Sequence, residues 1–188
     1  NIHGPGTFIE FKNHIIFNAS TDGLGREIWK SDGTSTNTKL LKDINPGSEN
    51  SGGINTNSAI LNNELYFIST DDSSAGEIWK TDGTDSGTVQ ITDFLNGKVT
   101  QLTTVGTFIF FIIKTEYTLQ VWKTDGSNSG TVLVKDEISI WNDPTFQGKC
   151  NNTFIFTFQP YGTNNSRVWR SDGTSNGTFS ITDEIDGN

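Results

Sequence analysis

Four carboxylates stand directly before a glycine at regular intervals in this chain: Asp32-Gly33, Asp82-Gly83, Asp125-Gly126 and Asp172-Gly173. A residue pair of this kind suits a metal loop, a phosphate loop or a turn. A calcium loop of the EF-hand kind needs several oxygen ligands at alternating positions and a closing Glu, and each motif brings one carboxylate. A phosphate loop needs Gly-x-x-x-x-Gly-Lys-Ser/Thr ahead of a helix, and neither part is present. The expected role is a turn, with no metal and no cofactor. The Asp accepts hydrogen bonds from turn N–H groups, the Gly takes the left-handed conformation, and Thr hydroxyls close the loop.

Other chemistries find little material. A glycosidase needs two carboxylates across a cleft, one with a raised pKa, and nothing selects such a pair from the 22 Asp and Glu. A sialidase would also want an arginine cluster, and the chain offers only Arg26, Arg167 and Arg170. His3 and His14 are the two histidines, and no Gly-x-Ser-x-Gly elbow exists for a nucleophile. Asp71-Asp72, the adjacent aspartate pair, reads as a solvated loop. The expectation is a protein that is not an enzyme, and a glycan-cleaving activity of sialidase-like type is the distant alternative.

The Asp-Gly pairs belong to a longer unit. Glu77-Ile78-Trp79-Lys80-Thr81-Asp82-Gly83-Thr84 leads to Gly87-Thr88. The pattern returns around Trp29 and Asp32, Trp122 and Asp125, and Trp169 and Asp172, with Trp steps of 50, 43 and 47 residues. A repeat of this length marks a solenoid, propeller or array. Asn37 replaces the second Gly in copy one and Ser127 replaces Thr in copy three, while copies three and four lack the leading Glu. The motif resembles that of the ELWxxDGT repeat family of tandem-repeat, surface-exposed proteins, over nearly the whole chain. The resemblance implies a structural repeat and little about activity. The turn is also loosely similar to the Asp-box turn of sialidase-type propellers, which is likewise structural.

Each copy reads as four short strands. The first two form a hairpin around Lys12-Asn13, Asn62-Asn63, Val105-Gly106 or Asn151-Asn152, because Asn and Gly tolerate the positive φ of a tight turn. A Phe recurs in the second strand at Phe17, Phe67, Phe110 and Phe156. The third strand carries the Trp, and the fourth runs from Thr38, Thr88, Thr131 or Thr178 to an Asp five positions on. This predicts an all-β chain, a β-propeller of four four-stranded antiparallel blades, alone or within a larger ring. It is one repeat domain over 1–188, with blades near 1–52, 53–98, 99–143 and 144–188. Trp29, Trp79, Trp122 and Trp169 are expected at equivalent buried sites. Lys30, Lys80, Lys123 and Arg170 are expected to pair with carboxylates of neighbouring blades.

Composition narrows the partners. The net charge of −9 and pI near 4.5 argue against nucleic acid, which calls for a basic face, and against an anionic membrane surface. No apolar run approaches the length of a membrane span, so no membrane insertion is expected. The single Cys150 reads as a buried small hydrophobe. No Met occurs and the chain opens on Asn, as a processed chain or an excised fragment would. Sequons at Asn18, Asn151, Asn164 and Asn176 fit a secreted or cell-surface glycoprotein.

One tryptophan stands outside the repeat. Trp141 lies between copies three and four, and in a propeller that link shares a rim with the loops holding Tyr117 and Tyr161. With Asn142, Asp143 and Asn164 nearby, these residues form the candidate ligand-binding set, a loop face for a protein or carbohydrate partner. The alternative is a Trp141 wedged between blades. The expected function is a secreted or cell-surface recognition or adhesion module, with a carbohydrate-binding lectin as the alternative. Self-assembly or a longer parent chain would complete the ring.

Overall fold

The computed structural model describes residues 2–47, 54, 57–69, 76–94 and 97–182. The chain divides into two compact units, Asn1–Leu95 and Asn96–Asn188. Each unit holds two antiparallel sheets, and the described residues contain strands and turns without a helix, so no helix is long and apolar enough to cross a membrane.

In unit one, the first sheet comprises β1 (Ile2–His3), β2 (Phe8–Phe11), β3 (His14–Thr21), β4 (Gly25–Ser31) and β5 (Lys39–Lys42). Strands β1 and β2 are two halves of one edge strand. Both pair with β3, and the Gly6 N–H keeps the ladder between them by donating to Asn18 O at 2.8 Å. The second sheet is β6 (Ala59–Leu61), β7 (Glu64–Ser69), β8 (Glu77–Thr81) and β9 (Val89–Gln90) in that order.

Unit two repeats the plan. Its first sheet has β10 (Lys98–Val99) and β11 (Thr103–Val105) as the divided edge, then β12 (Phe108–Lys114), β13 (Thr118–Thr124) and β14 (Val132–Ser139). Thr100 N donates to Ile112 O at 2.9 Å across the break. The last sheet is β15 (Phe146–Cys150), β16 (Thr153–Phe158), β17 (Arg167–Ser171) and β18 (Phe179–Ser180). The third sheet thus begins at Lys98, just before the expected 98/99 boundary. The boundary at 52/53, the loop pair Asp71-Asp72 and the expected strand end at Asp183 lie outside the described residues.

Strand alternation decides what each side chain touches. Every motif Trp faces a Phe across the ladder: Phe17 to Trp29, Phe67 to Trp79, Phe111 to Trp122 and Phe156 to Trp169. In copy three the partner is therefore Phe111, not Phe110. The hairpin turn there is Gly106-Thr107 rather than Val105-Gly106, because Gly106 takes φ +59° while the β-branched Val105 stays in the strand. Phe110 points to the opposite face and stacks on Phe154 at 5.3 Å.

The Trp positions are equivalent in register but not in burial. Trp29 is 9% exposed, while Trp79, Trp122 and Trp169 are half-buried. A side chain of this size covers a sheet face yet leaves an edge in solvent. In unit one, Phe11, Ile16, Ile28 and Leu41 of the first sheet pack against Leu65, Phe67 and Trp79 of the second. In unit two, Phe110, Ile112, Val121 and Val134 meet Phe154, Phe156, Phe158 and Trp169. Cys150 is exposed, a correction to the buried reading. It borders the β15–β16 turn opposite Thr153, at the end of the hairpin rather than in its packed centre.

Candidate functional site

The two ends of the third strands are built differently. At one end sits the Asp-Gly turn. Thr34, Thr84, Ser127 and Thr174 each donate both a backbone N–H and a hydroxyl to Oδ1 of the preceding Asp32, Asp82, Asp125 or Asp172, at 2.7–3.0 Å. The hydroxyl of Ser31, Thr81, Thr124 or Ser171 accepts the Gly N–H at 3.0–3.1 Å and bonds the hydroxyl of Thr38, Thr88, Thr131 or Thr178 at 2.7–2.8 Å. That last hydroxyl reaches back to the carbonyl of Thr34, Thr84, Ser127 or Thr174 at 2.6–2.8 Å.

These bonds account for the motif residue by residue. A Cβ on Gly87, Gly130 or Gly177 would fall 2.0–2.1 Å from the Asp Oδ1, so a side chain there requires the carboxylate to shift. In copy one Asn37 occupies that place, and its Nδ2 donates to Asp32 Oδ2 at 2.6 Å. The hydroxyl of Thr34, then the Asn37 amide, then the Thr34 N–H hold Asp32 down at a pKa of about 2. Asp82 and Asp172 are also lowered, first by the hydroxyls of Thr84 and Thr174. Among the described residues no three His, Cys, Asp or Glu side chains cluster as a metal site would require.

The repeated cations do something other than expected. Lys30 and Lys123 donate to the carbonyls of Gly83 and Gly173 in the next Asp-Gly turn, at 2.5 and 2.9 Å, rather than to a neighbouring carboxylate. Lys80 instead pairs with Glu64 of its own sheet at 3.1 Å. The leading Glu of copies one and two also acquires a role that sequence did not suggest. Glu27 accepts the Ile44 N–H at 2.7 Å, while Glu77 accepts Phe94 N at 2.8 Å and the Thr92 hydroxyl at 2.6 Å. Both carboxylates are buried and fasten the chain after the fourth strand. A clue was in the sequence, since Glu27 and Glu77 are the only acidic residues that directly precede the Ile/Val-Trp pair.

At the opposite end in unit two, backbone bonds bring the three aromatic candidates together. Ile140 N donates to Tyr117 O at 2.9 Å, Trp141 N to Gln159 O at 2.8 Å, and Tyr161 N to Ser139 O at 3.3 Å. Trp141 is 62% exposed, and Tyr117 and Tyr161 are each 65% exposed, so Trp141 is not wedged between sheets. The Trp141 and Tyr161 rings lie 5.5 Å apart, tilted by 41°. Around them, Asn142 Nδ2 donates to Gln159 Oε1 at 2.7 Å, and Gln159 Nε2 donates to Thr163 O at 2.6 Å. Asp143 forms an ion pair with Lys114. The Tyr117 hydroxyl donates to Glu116 at 2.5 Å, which raises its pKa. Asn164 is exposed in the bend that follows Thr163.

Among the sequons, Asn151, Asn164 and Asn176 are exposed. Asn18 is 5% exposed and its Oδ1 accepts from Arg26 Nη2 at 3.2 Å, so the folded chain has no room for a glycan there.

The sheets have counterparts among solved structures. TolB from Acinetobacter baumannii superposes with a TM-score of 0.54 at 13% identity, over 96% of this chain and 42% of that one. A puromycin hydrolase gives 0.58 at 11% identity, over 96% and 28%. The acylaminoacyl peptidase of Pyrococcus horikoshii gives 0.51 at 14%, over 94% and 27%. The four sheets match β-propeller domains. At these identities the likeness is one of fold. This chain spans less than half the length of each of those three proteins. No protein-family model matches the sequence, nor does any curated protein.

Proposed function

We propose that this chain is a non-catalytic recognition module, secreted or displayed at a cell surface, whose aromatic loop face in unit two binds a protein or glycan partner. The observation that carries this reading is the group of three exposed rings, Tyr117, Trp141 and Tyr161, held at one end of the sheets by backbone hydrogen bonds. Large exposed aromatics at fixed positions are the residues from which binding energy is drawn. A rigid scaffold with variable loops is where binding residues are usually carried. The glycan form of the proposal is favoured by the open, tilted Trp141–Tyr161 pair and the amides of Asn142 and Gln159 beside it. Ring faces suit the C–H side of a sugar, and amides suit its hydroxyls.

The test is a glycan array and a surface-protein screen with the intact chain, repeated with Trp141→Ala and Tyr161→Ala. Each substitution removes an exposed side chain, so circular dichroism should be unchanged while binding to the selected partner falls by about 2 kcal/mol or more. Unchanged affinity in both variants, or hydrolysis of a screened glycan by the wild type, overturns the reading.

A further inference from the structure

Trp141 and Tyr161 flank one antiparallel bridge, Ile140 to Pro160. Alternation sends residues 140 and 160 to one side of that ribbon and 141 and 161 to the other. Ile140 is 2% exposed and sits in the core cluster with Phe158, so Trp141 faces solvent from an anchored backbone. On the other arm, Tyr161 is the second residue of a closed turn. Thr163 donates its N–H and its hydroxyl to Pro160 O, at 3.3 and 2.9 Å, and Gly162 takes φ +79°, as the third position of such a turn allows. Both rings are therefore placed before a ligand arrives, which lowers the ordering cost of binding.

The two rings touch, with centroids 5.5 Å apart and planes tilted by 41°. Rings in contact leave no gap between them, whereas an aromatic cage for a quaternary ammonium surrounds its ligand. They present two adjoining outer faces instead, and their spacing is close to the step from one pyranose ring to the next in a glycan chain. The polar groups beside them suit an uncharged ligand. Trp141 Nε1, the Tyr161 hydroxyl and Asn142 Oδ1 have no hydrogen-bond partner among the described residues, which leaves both donors and acceptors for sugar hydroxyls.

The cations near this end are committed or distant. Lys114 pairs with Asp143, and Arg167 is half-buried with its Nε enclosed. Lys98 lies on the far edge strand of its sheet, three strand spacings or about 14 Å from β14. Glu116 and Asp143 add negative charge, which disfavours a sulfate, uronate or sialic acid.

We propose that the Trp141–Tyr161 pair holds two consecutive, uncharged pyranose units of a glycan chain, one on each ring. This rests on the reading of the loop face as a recognition site and narrows it to one ligand class. The C–H face of each sugar lies on the electron-rich face of a ring. Hydroxyls at the sugar edges donate to Asn142 Oδ1 and accept from Trp141 Nε1 and the Tyr161 hydroxyl. A single sugar uses one ring, so the second unit adds a second anchor.

The experiment is an NMR titration of the intact chain, followed through the indole N–H signals, for the wild type, Trp141→Ala and Tyr161→Ala. The probes are neutral monosaccharides, the disaccharides and longer oligomers built from them, and sialylated, uronate-bearing and sulfated counterparts. In the wild type a neutral series gains about thirtyfold in affinity from the first unit to the second, as one added aromatic anchor would give. Each variant loses that gain while circular dichroism is unchanged. Affinity is the same in low and high salt, because an uncharged ligand leaves no charge pair to screen. A monosaccharide that binds as tightly as its disaccharide, a preference for the anionic glycans, affinity that falls steeply with salt, or no binding across the neutral panel overturns this proposal. The recognition module itself survives each of those outcomes when a partner from the surface-protein screen loses affinity in both variants. Both readings fall together when neither substitution changes any binding.

Discussion

The two ends of the third strands solve different problems with the same backbone. At the Asp-Gly end, four turns far apart in sequence repeat one hydrogen-bond circuit, with Ser and Thr exchanged at two of its positions and Asn37 in place of a glycine. Ser127 keeps the hydroxyl that the circuit uses, and Asn37 supplies an amide to the carboxylate that a glycine would only clear. At the other end the connections differ in length and composition. Tyr117, Trp141 and Tyr161 project into solvent there, on segments joined by backbone bonds. Repetition at one end reflects side chains saturated by one another, which a substitution disturbs. Variation at the other reflects exposed side chains that no repeated circuit ties down.

The comparison breaks most severely at Thr81. Its side chain is fully buried, and its hydroxyl accepts the Gly83 N–H and bonds Thr88, so Thr81→Val takes one bond each from the half-buried Gly83 N–H and the buried Thr88 hydroxyl. The expected loss is about 1–3 kcal/mol in chemical denaturation. The exposed Trp141→Ala and Tyr161→Ala are expected to stay within about 0.5 kcal/mol of the wild type. Equal losses at the two ends would erase the distinction.

A smaller effect sharpens it. Gly87→Ala places a Cβ where the Asp82 carboxylate lies, and the carboxylate must shift against its bonds to Thr84 without gaining the amide that Asn37 gives Asp32. The expected cost is about 1–2 kcal/mol. Gly87→Asn rebuilds the turn of copy one, with the new amide donating to Asp82, and is expected within about 0.5 kcal/mol of the wild type. Alanine tolerated better than asparagine in thermal unfolding would refute this account of Asn37.

The repeat made the sheets legible because Trp and Asp-Gly fix the third strand and its turn in every copy. The exposed rim was legible too, since Trp141 breaks the pattern in a link whose position follows from the strand order. What failed depends on which face of a sheet another sheet covers. Phe110 and Phe111 are both Phe, and only the turn at Gly106-Thr107 decides which one faces Trp122. Lys30 and Lys123, expected to meet carboxylates of neighbouring blades, meet the carbonyls of the next turn instead. The exposure of Cys150 and the half-burial of three tryptophans have the same origin. The buried Glu27 and Glu77 reach backbone N–H groups 17 residues downstream, so the Glu before Ile-Trp marks the position but does not name its partner.

The finest difference lies among the turns themselves. Asp32 has its pKa lowered from an ordinary 3.8 to about 2 by the Thr34 hydroxyl, the Asn37 amide and the Thr34 N–H, in that order. A carboxylate held below its unfolded value contributes stability that is fully present above pH 4 or so, and that stability is lost as the pH falls toward the folded value. The turn of copy one therefore begins to weaken only between about pH 4 and pH 2. Asn37→Gly deletes the second of the three donors and converts the turn to the form found around Asp82 and Asp172, whose pKa values are also lowered but without an amide partner. The Asp32 pKa is then expected to move up. The measurement is a carboxyl-carbon NMR titration of the wild type and the variant from neutral to strongly acid solution. An Asp32 that titrates in the ordinary carboxylate range in the wild type, or one that Asn37→Gly leaves unmoved, would show that the amide at position 37 fills space without holding charge.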